Sequence, residues 1–189
     1  MRFILILLLV LMIPSAGCKG QKNAVKQNND NKKALKEAGN QHYDYSDSQT
    51  WLIGSFSPGR LSSPPHASWY LKGKDNYTPA REAVERLKGI RMQDITIKVV
   101  LGTWCPDSRR EVPRFMRIVE DTGFPVSRIE FIGTDNLKVS PVENYGNLNI
   151  QRVPTFIFYR NNIEAGRIIE NPSSSLEQDM VDILSRNEK

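Results

Sequence analysis

The chain is poor in the residues from which most chemical sites are built. It has 2 cysteines and 2 histidines among 189 residues. Neither His42 nor His66 stands at metal-ligand spacing from Cys105, so no metal centre is expected, and nothing in the sequence requires a cofactor. His66, beside Pro65, reads as an exposed loop residue. The formal charge of +5 is spread along the chain. No cluster of Lys and Arg alternates with aromatics, which argues against a nucleic-acid partner. No internal repeat is present. No apolar run approaches the roughly twenty residues that a membrane-spanning helix needs.

The longest apolar run is Phe3 to Ile13, eleven residues. It follows the positive charge of Arg2 and ends in Pro14-Ser-Ala-Gly17, the pattern of an export signal. Cys18 comes next, an arrangement that resembles the bacterial lipobox, whose cysteine is lipidated. The usual Leu three positions earlier is replaced by Ser15, and cleavage to a soluble exported protein is the alternative. Residues 1–17 are thus read as a lipoprotein-type signal peptide, with membrane attachment through Cys18 and a location in the bacterial cell envelope, periplasm-facing. Residues 18–45 are polar, rich in Asn, Gln and Lys, and bury too little apolar surface to offset their ordering entropy. They read as a tether.

Residues 46–189 are of a length to form one domain with one core. Trp51 to Phe56 reads as a first strand, and Ser62 to His66 as a loop. A helix is predicted from Thr78-Pro79 to Gly89, with Thr as N-cap. Ile95 to Leu101 and Ile129 to Gly133 read as buried strands. Between them Val112, Phe115, Met116 and Val119 mark a helix face that Pro113 should bend. Thr155 to Tyr159 and Gly166 to Ile169 form a hairpin around Asn161-Asn162. Ser174 to Glu177 resembles a capping box that opens the last helix. The order predicts an α/β fold: a central mixed sheet with helices on both faces.

The segment with most chemical content is Gly102-Thr-Trp-Cys-Pro-Asp-Ser108, between the Ile95 strand and the following helix. A cysteine there sits at a helix N-terminus, where orphan N–H groups and the helix dipole favour a thiolate. With it come Pro113, the Val153-Pro154-Thr155 loop and the glycine of Ala165-Gly-Arg-Ile-Ile169. Together they resemble the thioredoxin superfamily over roughly residues 95–184, and in particular exported thioredoxin-like proteins. The resemblance implies a three-layer thioredoxin-like sandwich, with Pro154 cis and facing Cys105. Trp104, Pro106, Val153, Pro154 and Thr155 would then contact substrate.

The departures from that family matter equally. Ser108 stands where a dithiol enzyme carries its second cysteine, and Val99 where many thioredoxins bury an Asp. Cys105 is expected to be the nucleophile, with Ser108 as a hydrogen-bond donor to it. Asp107 is either a proton relay or an ordinary acid complementing the helix dipole. Arg109 and Arg110 read as a solvated face. Without a resolving cysteine, a mixed disulfide on Cys105 must be released by an outside thiol. That chemistry suits isomerisation or monothiol exchange, with thiol- or disulfide-bearing exported proteins or small thiols as partners. The alternative is a non-catalytic interaction module of the same fold.

Overall fold

The structure is a computed structural model that describes residues 42–186. The expected signal peptide, the lipidation site Cys18 and most of the tether lie outside the described residues. Among those described, no helix is long and apolar enough to cross a membrane.

Five strands form one mixed sheet in the order β1-β3-β2-β4-β5. They are β1 (Gly54–Phe56), β2 (Ile95–Leu101), β3 (Ile129–Gly133), β4 (Thr155–Arg160) and β5 (Ile163–Ile169). The central strand β2 runs parallel to β3 and antiparallel to β4. The β4–β5 hairpin turns on Asn161 and Asn162, both at positive φ, where Asn is tolerated better than other side chains. Four α-helices accompany the sheet: α1 (Ala67–Asp75), α2 (Arg81–Gly89), α3 (Pro106–Thr122) and α4 (Leu176–Ser185).

Alternation along the strands assigns the two faces. Ile95, Ile97, Val99 and Leu101 of β2 join Phe131, Phe156, Phe158 and Ile168 in one buried cluster. Buried side chains of all four helices belong to that same cluster, including Leu71, Leu87, Phe115 and Val181. The opposite face holds Val100 and Ile132, which pack with Cys105 and Val153 in a smaller cluster. Val142, Tyr145, Leu148 and Ile150 cover it, from the connection between β3 and β4. That connection contributes one 3-10 turn, Tyr145–Leu148. The expectation of α-helices on both faces is therefore corrected: among the described residues all four lie on one face, and a loop covers part of the other. Residues 141–151 are too polar and too interrupted, with Asn144 and Asn149 at positive φ, to propagate an α-helix.

Two further differences have local causes. Helix α1 falls where no helix was predicted. Its buried positions Ala67, Tyr70, Leu71 and Lys74 do have helical spacing, but the stripe includes a lysine whose charge is matched by Glu120 at 2.7 Å. Gly73, which weakens the helix locally, faces Pro113 of α3. A Cβ there would stand 2.8 Å from the Pro113 ring, so glycine permits the close approach of the two helices. Helix α2 starts at Arg81 rather than Pro79, since Ala80 is extended at ψ 119°; its amide donates to Glu177 at 2.9 Å. Glu177 thus serves a neighbouring helix, while Ser175 caps α4 by accepting from the Gln178 amide.

Candidate functional site

Strand β2 ends at Leu101, and the chain turns through Gly102, Thr103 and Trp104 into α3, with Cys105 as N-cap. The turn is held by hydrogen bonds from several segments. The Cys105 amide donates to Gly102 O at 2.9 Å, and Thr103 Oγ1 accepts from the Leu52 amide at 3.1 Å. Trp104 donates through Nε1 to Thr134 O at 3.0 Å, folding its indole back over Gly102. A Cβ at residue 102 would lie 2.4 Å from that ring, so only glycine fits beneath it.

Cys105 is the free cysteine among the described residues and is 6% exposed. Its thiol donates to Val153 O at 3.3 Å, across the cis Val153–Pro154 peptide bond. A carbonyl accepts only from the protonated thiol, so this bond holds Sγ inward until the proton leaves. Val153, Pro154 and Thr155 are all buried, and the Thr155 hydroxyl donates to Arg152 O at 2.7 Å. The Pro154 carbonyl accepts from the Glu170 amide at 2.7 Å, so this backbone acceptor, at one of the residues expected to contact substrate, is taken within the chain.

Other predicted site residues are placed differently. The Ser108 hydroxyl is fully buried but accepts from the Gly102 amide at 3.3 Å; it ties the helix to the strand end and is not paired with Sγ. Asp107 forms an ion pair with Arg110 at 2.8 Å, the arrangement of an ordinary first-turn acid. Pro106 is exposed as the first residue of α3. Arg110 also donates to Glu111 at 2.6 Å and to Asn171. Glu111 is buried and takes a second donor, Arg114 at 3.1 Å, so two guanidiniums offset the desolvation of its charge.

Arg109 is not a solvated residue. Its Nη1 donates to the carbonyls of Thr103 at 3.1 Å and Trp104 at 2.8 Å, and its guanidinium lies 4.5 Å over the Tyr45 ring. Tyr45 was assigned to the tether by its polar neighbours, yet its hydroxyl donates to Pro65 O at 2.7 Å and its ring stacks on His66. Folded contacts therefore begin before residue 46. The aromatic ring in an otherwise polar stretch was the available signal. His66 is buried between Tyr45 and Trp69 rather than exposed. Desolvation first, then the nearby Arg60 and Arg109 charges, pushes its pKa down to about 4. Among the described residues, no group of three or more His, Cys, Asp or Glu could hold a metal ion.

No family model and no curated protein matches this chain. Among solved structures, a protein of unknown function from Pseudomonas aeruginosa superposes with a TM-score of 0.42 at 17% identity, covering 63% of this chain and 79% of its own length. An HIV epitope scaffold gives a TM-score of 0.40 at 17% identity with the same coverage of each chain. Likenesses of that size carry no argument about fold or activity.

Proposed function

We propose that this chain is a thioredoxin-like protein that carries out thiol–disulfide exchange through Cys105, held at a bacterial membrane surface by a lipidated Cys18. The observation that carries the reading is one juxtaposition. Sγ of Cys105, at the N-terminus of α3, lies 3.3 Å from the carbonyl that precedes cis Pro154. The central position of β2, parallel to β3 and antiparallel to β4, supports the thioredoxin-like assignment.

The chemistry follows from a lone thiol. Sγ loses its proton to solvent and gives up the bond to Val153 O. The thiolate attacks one sulfur of a client disulfide; the client S–S bond breaks as the mixed disulfide forms, and the departing sulfur takes a proton. Ser108 cannot resolve that intermediate. A second thiolate, from the client itself or from a small thiol, attacks the client sulfur and returns Cys105. When both thiols belong to the client, no electrons are gained or lost and the result is isomerisation. The thiols and disulfides of exported proteins are the expected partners.

The test is incubation of the full chain with glutathione disulfide, followed by intact mass and peptide mapping. A mixed disulfide on Cys105 that dithiothreitol removes, and that Cys105→Ser abolishes, is the expected result. The burial of the thiol favours one other reading, an interaction module whose cysteine only packs. A chain that stays unmodified at Cys105 would establish that reading instead.

A further inference from the structure

The Trp-Cys turn is held by a segment that the sequence places next to the membrane tether. Trp51 donates through Nε1 to Tyr45 O at 2.8 Å, which closes residues 45–51 into a loop. The Trp51 ring of that loop meets the Trp104 ring at 6.2 Å in a tilted pair, the next residue donates from Leu52 N to Thr103 Oγ1, and Tyr45 lies beneath Arg109. Arg109 completes the connection. A single guanidinium nitrogen holds the carbonyls of the two residues just before Cys105. Around these contacts lies a cleft of about 390 Å³, lined by Asp44, Trp51, Trp104 and Arg109 and, from the β3–β4 connection, by Asn136.

We propose that Arg109, seated on Tyr45, is a positioning residue for Cys105, so that the segment following the tether sets the reactivity of the thiol. The proposal rests on the exchange reading of Cys105. Disulfide exchange needs the attacking sulfur aligned with the S–S bond, and alignment is lost when the backbone carrying it wanders. Two carbonyls gripped by one planar cation leave the Thr103–Cys105 peptides little freedom. Stacking on Tyr45 fixes the cation in turn. A lysine at residue 109 would keep the charge and could donate to a carbonyl, but a compact ammonium on a flexible stem does not stack on the Tyr45 ring as a plane and so is not fixed by it.

The experiment measures the second-order rate of mixed-disulfide formation at Cys105 with glutathione disulfide, in the full chain and its variants. Arg109→Ala is expected to lower it about tenfold, the size of losing charge-assisted hydrogen bonds. Arg109→Lys should fall nearly as far. Tyr45→Ala should lower it about fivefold. The double variant should be no slower than Arg109→Ala alone, because both act through one contact. Tyr45→Phe keeps the ring but loses the bond to Pro65 O; it should restore the rate while melting earlier than the native chain. Arg117→Ala, which removes a cation further along α3, should react as the native chain does.

Full rescue by Lys would show a charge effect and overturn the proposal, as would Arg109→Ala within twofold of native. If the native chain forms no mixed disulfide, the exchange reading fails by itself. Arg109 is then judged on the circular dichroism of the Trp51–Trp104 pair. Loss of that signal in Arg109→Ala and Tyr45→Ala, but not in Tyr45→Phe, upholds positioning; an unchanged signal in all three overturns it.

Discussion

The two faces of the sheet divide the molecule's work. One is covered by four helices around Phe115, Phe131, Phe156 and Phe158, all buried. The other is covered only near the Cys105 end, by the β3–β4 connection. Toward the far end it presents Ser55, Lys98 and Glu130 around an open groove. Stability is concentrated on the first face, where apolar area is removed from water. The second face carries the thiol, under a loop held by fewer apolar contacts. On the exchange reading proposed above, a buried sulfur that has to reach a client is better placed beneath a loop than beneath a helix.

Three measurements would break or sharpen that contrast. The largest effect is expected at Phe156, whose ring lies 4.9 Å from that of Phe115. Phe156→Ala should cost about 3–5 kcal/mol of unfolding free energy in a denaturant titration. Next is the helix-side His66. Its pKa is 6.5 unfolded and about 4 folded. The fold therefore accommodates the neutral imidazole. Its contribution is complete above pH 6.5 and is lost as pH falls from 6.5 toward 4, where the unfolded chain binds the extra proton. The loss should amount to about 3 kcal/mol, and His66→Phe should flatten that part of the stability profile. The smallest effect is expected on the open face. Lys98 and Glu130 pair at 2.6 Å but are about one-third exposed, so a double-mutant cycle should give roughly 0.2–1 kcal/mol. A coupling several times larger would mean that the open face is structurally as demanding as the helix face.

What could be read in advance follows the range of the interactions. β2, β3, the Asn161-Asn162 turn and the apolar stripe of α3 were legible because each is encoded within a few residues. The cis Val153–Pro154 bond was implied by a local motif. Helix α1 was missed because its stripe contains Lys74, which is acceptable only against Glu120, 46 residues away. His66 was read as exposed for the same kind of reason: its cover is Tyr45, from a segment that composition alone assigns to a tether. Arg109 looked solvated because its acceptors are backbone carbonyls, which leave no trace in side-chain patterning.

The sequence by itself determined that a cysteine would stand at the start of a helix, after a buried strand and without a second cysteine a turn away. Those features depend on neighbouring residues and on the periodicity of apolar side chains. Only the tertiary structure decided that the thiol would point to Val153 O, that Ser108 would bind the Gly102 amide, and that a tether-side tyrosine would hold Arg109 against the Trp-Cys turn. Each is a contact between segments far apart in sequence or a choice among several nearby hydrogen-bond partners. Such choices are settled when the surrounding packing removes the alternatives.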